Sequence, residues 1–103
     1  MLHWLDHYYI SDGIHGNVAI QSKIDAGHAA NGIWLVTLSN NPDNICELIP
    51  ANLLIQRSLY DSCPLIIGMA KGKKEAIDLV KKIVEGMVRK KKGFDLKEYI
   101  KNR

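Results

Sequence analysis

Lys71, Gly72, Lys73 and Lys74 set three ammonium groups around a glycine, at the point where the apolar run Leu65 to Met69 passes into a helical pattern. Cations in that position could hold a phosphate or another anion, because the free amides of a first helical turn already carry partial positive charge. A phosphate loop of the form G-x-x-x-x-G-K-S/T would need a hydroxyl to reach magnesium. The stretch from Gly68 to Lys74 is one residue short of it and has lysine in the hydroxyl's place. The glycines of a dinucleotide fingerprint are absent as well. What stays is a charge anomaly, since acids rather than bases are favoured at a helix start. A second turn, Ser39, Asn40 and Asn41, follows the apolar run Ile33 to Leu38. In a parallel sheet both turns would lie at the carboxyl ends of strands, where ligands of open α/β sheets bind. The candidate ligand-binding set is therefore Ser39, Asn40, Asn41, Lys71, Gly72, Lys73 and Lys74. The competing account is that the lysines point into water, which costs only a few tenths of a kcal/mol each. Glu75 also neutralises part of the helix end.

Other chemistry has less support. His3 and His7 are four apart, with Asp6 beside them, and would share a face if the N-terminus were helical, but the local pattern is equally strand-like. His15 and His28 fall in glycine-containing loops, and no H-E-x-x-H occurs, so no metal is expected. No serine sits in G-x-S-x-G. Cys46, among Ile45, Leu48 and Ile49, reads as part of a buried helix face, and Cys63 precedes Pro64 at a strand entrance; both read as structural. Asp12 reads as a turn residue. The expectation is no catalytic residue and no cofactor. Arg89, Lys90, Lys91 and Lys92 could meet nucleic-acid phosphates, but Trp4, Tyr8, Tyr9 and Trp34 are not interleaved with them. A basic helix end is favoured by the helix dipole alone, so nucleic acid is disfavoured as a partner.

The elements that would position these residues can be read from periodicity. IWLVTL (33–38) and LIIGM (65–69) are nearly continuous apolar runs, which suits strands buried on both faces of a parallel sheet. Between them, Asn40 or Asn41 can cap a helix with Pro42 at its first position. Pro50 then divides the crossover into a helix over about 42–48 and a second helical piece over about 51–60. The segment 73–91 carries Ala76, Ile77, Val80, Ile83, Val84, Met87 and Val88 as one helical stripe. Gly93 ends it, and Asp95 to Glu98 has capping-box spacing before a short helix over about 96–101. In the first third, residues 7–10 could form a strand closed by Asp12-Gly13, and 18–26 only a loose amphipathic helix before Gly27.

The sum is a single α/β domain over residues 1–103: β-α-β-α-β-α, a small three-stranded, mostly parallel sheet flanked by helices, with a short extra C-terminal helix. Its bare sheet edges make a homo-oligomer the expected state. A composition of 47% hydrophobic and 24% charged residues fits a globular chain and excludes a disordered one. The longest apolar runs are far too short to span a bilayer, and the N-terminus lacks the pattern of a signal peptide. Two separated cysteines suggest neither a disulfide scaffold nor a redox dithiol, so a cytoplasmic location is expected. The formal net charge of +3 is concentrated in the Arg89 to Lys92 block.

WLVTLSNNPDN, IIGMAKGKKEAIDLVKKIV and the closing GFDLKEYI resemble small bacterial α/β proteins with no assigned activity. The resemblance covers roughly the last two thirds of the chain and lends no catalytic residue. The functional expectation is a small binding or regulatory module, in preference to an enzyme, that holds an anionic ligand between residues 39–41 and 71–74; an enzyme whose residues converge only in three dimensions stays open. The alternative is a non-catalytic scaffolding subunit acting through homo-oligomerisation or protein–protein contacts.

Overall fold

The computed structural model describes residues 2–39, 41, 44–89 and 96–101. In chain order the elements are β1 (Trp4–Ile10), α1 (Asn17–Asp25), β2 (Ile33–Leu38), β3 (Cys46–Pro50), a 3-10 turn (Ala51–Ile55), α2 (Arg57–Asp61), β4 (Ile66–Lys71), α3 (Gly72–Arg89) and α4 (Leu96–Lys101). The strands form one four-stranded sheet in the order β1-β4-β2-β3. β1 and β4 are parallel, whereas β4–β2 and β2–β3 are antiparallel. This overturns the three-stranded, mostly parallel sheet, although the α/β class stands.

Two physical reasons account for the difference. Of the residues expected in a helix over 42–48, Cys46, Glu47 and Leu48 instead begin β3, which pairs with β2 from Leu38↔Cys46 to Trp34↔Pro50 without a register slip, and residues 42 and 43 lie outside the described residues. Along CELIP the side chains alternate: Cys46 and Leu48 pack towards α3, and Ile49 packs on the opposite core. Pro50 is tolerated because it ends an edge strand, where a missing amide leaves no inner partner unpaired. Secondly, an unbroken apolar run marks a strand covered on both faces and says nothing of its direction. β2 and β4 occupy the sheet centre, with Leu35, Val36, Ile66, Ile67 and Met69 fully buried.

Each sheet face has its own core. On one, α3 lays Ala76, Leu79, Ile83 and Met87 over Val36, Ile67 and Ala70, and Leu96, Tyr99 and Ile100 of α4 close that core. The stripe is rotated from the expected one: Leu79 is inside, while Ile77 and Val88 are exposed. On the other face, Ile24, Ala51 and Leu54 pack on Leu35, Ile66 and Met69. α1 buries only Ile24, so polar contacts from aromatic side chains fasten it. The Trp4 indole donates to Asp25 (2.8 Å), the Tyr8 hydroxyl donates to Gln21 (2.9 Å), and the Tyr60 hydroxyl donates to the Asp25 carbonyl (2.6 Å).

The sheet has two edges of different quality. β1 loses register against β4 between Trp4 and Tyr9, and His7 within that slip has φ 55°. Such a bulge, with Asp6 and His7 exposed, blunts an edge against further pairing. β3 carries no such interruption in its pairing with β2.

Candidate functional site

The lysine turn is built by the end of β4 and the start of α3. Gly72 has φ 80°, a left-handed conformation that glycine adopts without strain, and its amide donates to the Gly32 carbonyl at 2.8 Å. Gly68 has a separate task inside β4. A Cβ there would lie 3.0 Å from Leu79 Cδ2 and 3.4 Å from Val36 Cβ, so this glycine lets α3 approach the sheet. Neither glycine is free to cradle a phosphate in the way a phosphate loop requires.

The charge anomaly is met from within the chain. Glu75, in the first turn of α3, accepts from the Ser11 hydroxyl at 2.5 Å and from the Gly13 amide at 2.9 Å. The Lys71 amide in turn donates to Ser11 Oγ at 3.1 Å. These bonds hold the Glu75 carboxyl below the usual carboxylate range: the Ser11 hydroxyl contributes most, then the Gly13 amide, and the Lys71 charge acts in the same direction. The Lys73 ammonium lies 5.8 Å from the centre of the Trp34 ring, within range of a cation–π contact. An acid at the helix start and the Trp34 ring beside Lys73 thus offset part of the charge within the fold.

The other half of the expected pocket lies elsewhere. β2 runs antiparallel to β4, so Ile33 pairs with Lys71, while the Leu38 amide at its far end donates to the Leu65 carbonyl. Ser39 lies six residues along the strand from Ile33, the partner of Lys71, which at about 3.3 Å each separates the two turns by about 20 Å. Ser39 and Asn41 are therefore not brought together with Lys71, Gly72, Lys73 and Lys74, and Asn40 lies outside the described residues. Ser39 instead serves a local turn: its hydroxyl accepts from the Asn41 amide (3.0 Å) and donates to Glu47 Oε1 (3.1 Å).

His3 and His7 are not helical neighbours, since β1 is a strand. Lys90, Lys91 and Lys92 lie outside the described residues. Cys46 and Cys63 pack against opposite faces of the sheet, which rules out a bridge between them. Burial pushes both thiols up, with the Glu47 charge adding to the effect at Cys46. That is the reverse of what a nucleophilic thiol needs.

Residue-by-residue reading missed a cleft of about 200 Å³ beside edge strand β3. Thr37, Glu47 and Ile49 line it from the sheet, and Leu53, Leu54 and Leu59 from the 3-10 turn and α2. Ser62, Cys63 and Pro64 complete it. Thr37 is 1% exposed, whereas Leu53 and Leu59 are 43% and 39% exposed. The cleft thus opens onto water with apolar side chains at its mouth, and a carboxylate held by the buried Ser39 hydroxyl stands on its strand side. Its one advance signal was the two-residue alternation of CELIP, since a strand there must present Glu47 and Ile49 on one face.

No protein-family model, curated protein or solved structure matches this chain. Among the described residues, no helix is long and apolar enough to cross a membrane.

Proposed function

We propose that this protein is a non-catalytic binding module that takes an extended polypeptide segment along the open edge of β3. The observation that carries the reading is an edge strand, paired among the described residues on one side only and uninterrupted in register, directly beside a cleft with exposed leucines at its mouth. Addition of a strand to a sheet edge draws affinity from main-chain hydrogen bonds and selectivity from pockets that receive alternate side chains. β3 and its cleft supply one of each; the β1 edge also borders a cleft, between Leu5, Tyr9, Tyr99 and Ile100, but its register slip interrupts the row of main-chain groups that a docking strand would use. The anion-holding role is left out of this reading, because Glu75 already occupies the helix start and Ser39 and Asn41 lie at the far end of the sheet. A cytoplasmic location accords with two thiols that cannot pair with each other.

The test is an amide-resolved titration with a pool of end-blocked eight-residue peptides of alternating apolar and polar residues. Saturable shifts at residues 46–49 together with Leu53 and Leu59 are expected. Shifts centred on β1 or on Lys71 to Lys74, or none with any peptide, would overturn the reading.

A further inference from the structure

We infer that the segment received by β3 presents an apolar side chain to the cleft and, two residues away along the strand, a lysine or arginine to Glu47. The inference rests on the reading of β3 as a docking edge and specifies the partner's chemistry.

Glu47 and Ile49 are two residues apart on one strand and line the same cleft. A strand laid beside β3, in either direction, sets its own side chains opposite them with the same period of two, about 7 Å apart. Ile49 shares the cleft lining with Leu53, Leu54 and Leu59, so the position facing Ile49 favours an aliphatic side chain. Opposite Glu47 the neighbour is a half-buried carboxylate to which the structure gives one partner among the described residues, the Ser39 hydroxyl on Oε1. Ser39 is itself 6% exposed, so the group that holds this carboxylate is fixed in the fold. Among the described residues, no lysine or arginine lines the cleft. A docked strand would remove water from the carboxylate, and a cation facing it would replace that solvation, whereas an acid would add repulsion. The cleft therefore selects by charge as well as by shape.

The test uses three end-blocked eight-residue peptides that differ only at one position. Two residues from a leucine they carry lysine, norleucine or glutamate. Affinity is measured by fluorescence anisotropy and the site by amide shifts, on the wild-type chain and on Glu47→Gln and Glu47→Lys. The lysine peptide is expected to bind wild type about tenfold more tightly than the glutamate peptide. The preference should vanish in Glu47→Gln and reverse in Glu47→Lys. Equal affinities with shifts at residues 46–49 would overturn the charge selection and leave the docking edge standing. The absence of any shift there, with all three peptides, would overturn both. The peptide series on wild type decides the matter even if a variant does not fold.

Discussion

Replacing Gly68 by alanine tests the assignment of the glycine in LIIGM to packing rather than to a ligand. The added Cβ would sit 3.0 Å from Leu79 Cδ2, 3.4 Å from Val36 Cβ and 3.4 Å from the Tyr9 carbonyl oxygen. Val36 is fully buried and Leu79 is 6% exposed, so neither can swing into solvent. Overpacking of this kind costs about 1–3 kcal/mol. Loss of glycine's freedom in the unfolded chain acts the other way, by about 0.4–1 kcal/mol. The net expectation is a destabilisation of about 1–2 kcal/mol, which in a domain near this size lowers Tm by about 4–8 °C per kcal/mol. Urea denaturation of Gly68→Ala, Leu79→Ala and the double variant gives the coupling directly. Leu79→Ala alone should cost about 2–5 kcal/mol. On that background Gly68→Ala should cost nothing or stabilise, because its new methyl enters the vacated space. A Gly68→Ala variant as stable as wild type, or one whose penalty is unchanged in the double variant, would refute the packing argument.

Two further outcomes follow from the lysine turn and the thiols. Because the folded state lowers the acidity constant's pH midpoint for Glu75, its contribution to stability is fully present above the ordinary carboxylate value of about 4.3 and is lost as pH falls through the lower folded value. Thermal unfolding from pH 7 to pH 2 should show wild type more stable than Glu75→Gln at neutral pH and the gap closing only in acid; a constant gap contradicts the assignment. Cys46 and Cys63 should both titrate as free thiols after mild oxidation and react slowly with a disulfide reagent at pH 7, since burial raises both. Formation of an intramolecular bridge in the folded protein would contradict their placement on opposite sheet faces.

How far the sequence discloses this fold depends on which physical signal each element leaves. β2 and β4 are legible because central strands are apolar at successive positions, and α3 because its apolar residues recur at helical spacing. The direction of the strands is not legible: IWLVTL would look the same in a parallel or an antiparallel neighbourhood, and the rim that Ser39 and Asn41 would share with residues 71–74 depends on the parallel one. β3 was hidden by Pro42 and Pro50, which fit a helix start and a helix break as well as they fit the flanks of an edge strand. Glu75 was visible as a partial neutraliser of its helix end. Its partners Ser11 and Gly13 were not, because more than sixty positions separate them from Glu75 along the chain. The cleft escaped for the same reason, since it joins side chains from β2, β3, α2 and the turn between them.

The most direct test of the central claim is amide hydrogen exchange at Cys46, Glu47, Leu48 and Ile49, in the free protein over a dilution series and then with a saturating peptide. In an antiparallel edge strand, amides alternate between facing the inner neighbour and facing outwards. The account predicts two slow and two fast amides in the free chain at every concentration, with the fast pair becoming slow when the peptide is bound. Four slow amides in the dilute free protein, or a fast pair that stays fast under saturating peptide, would contradict it.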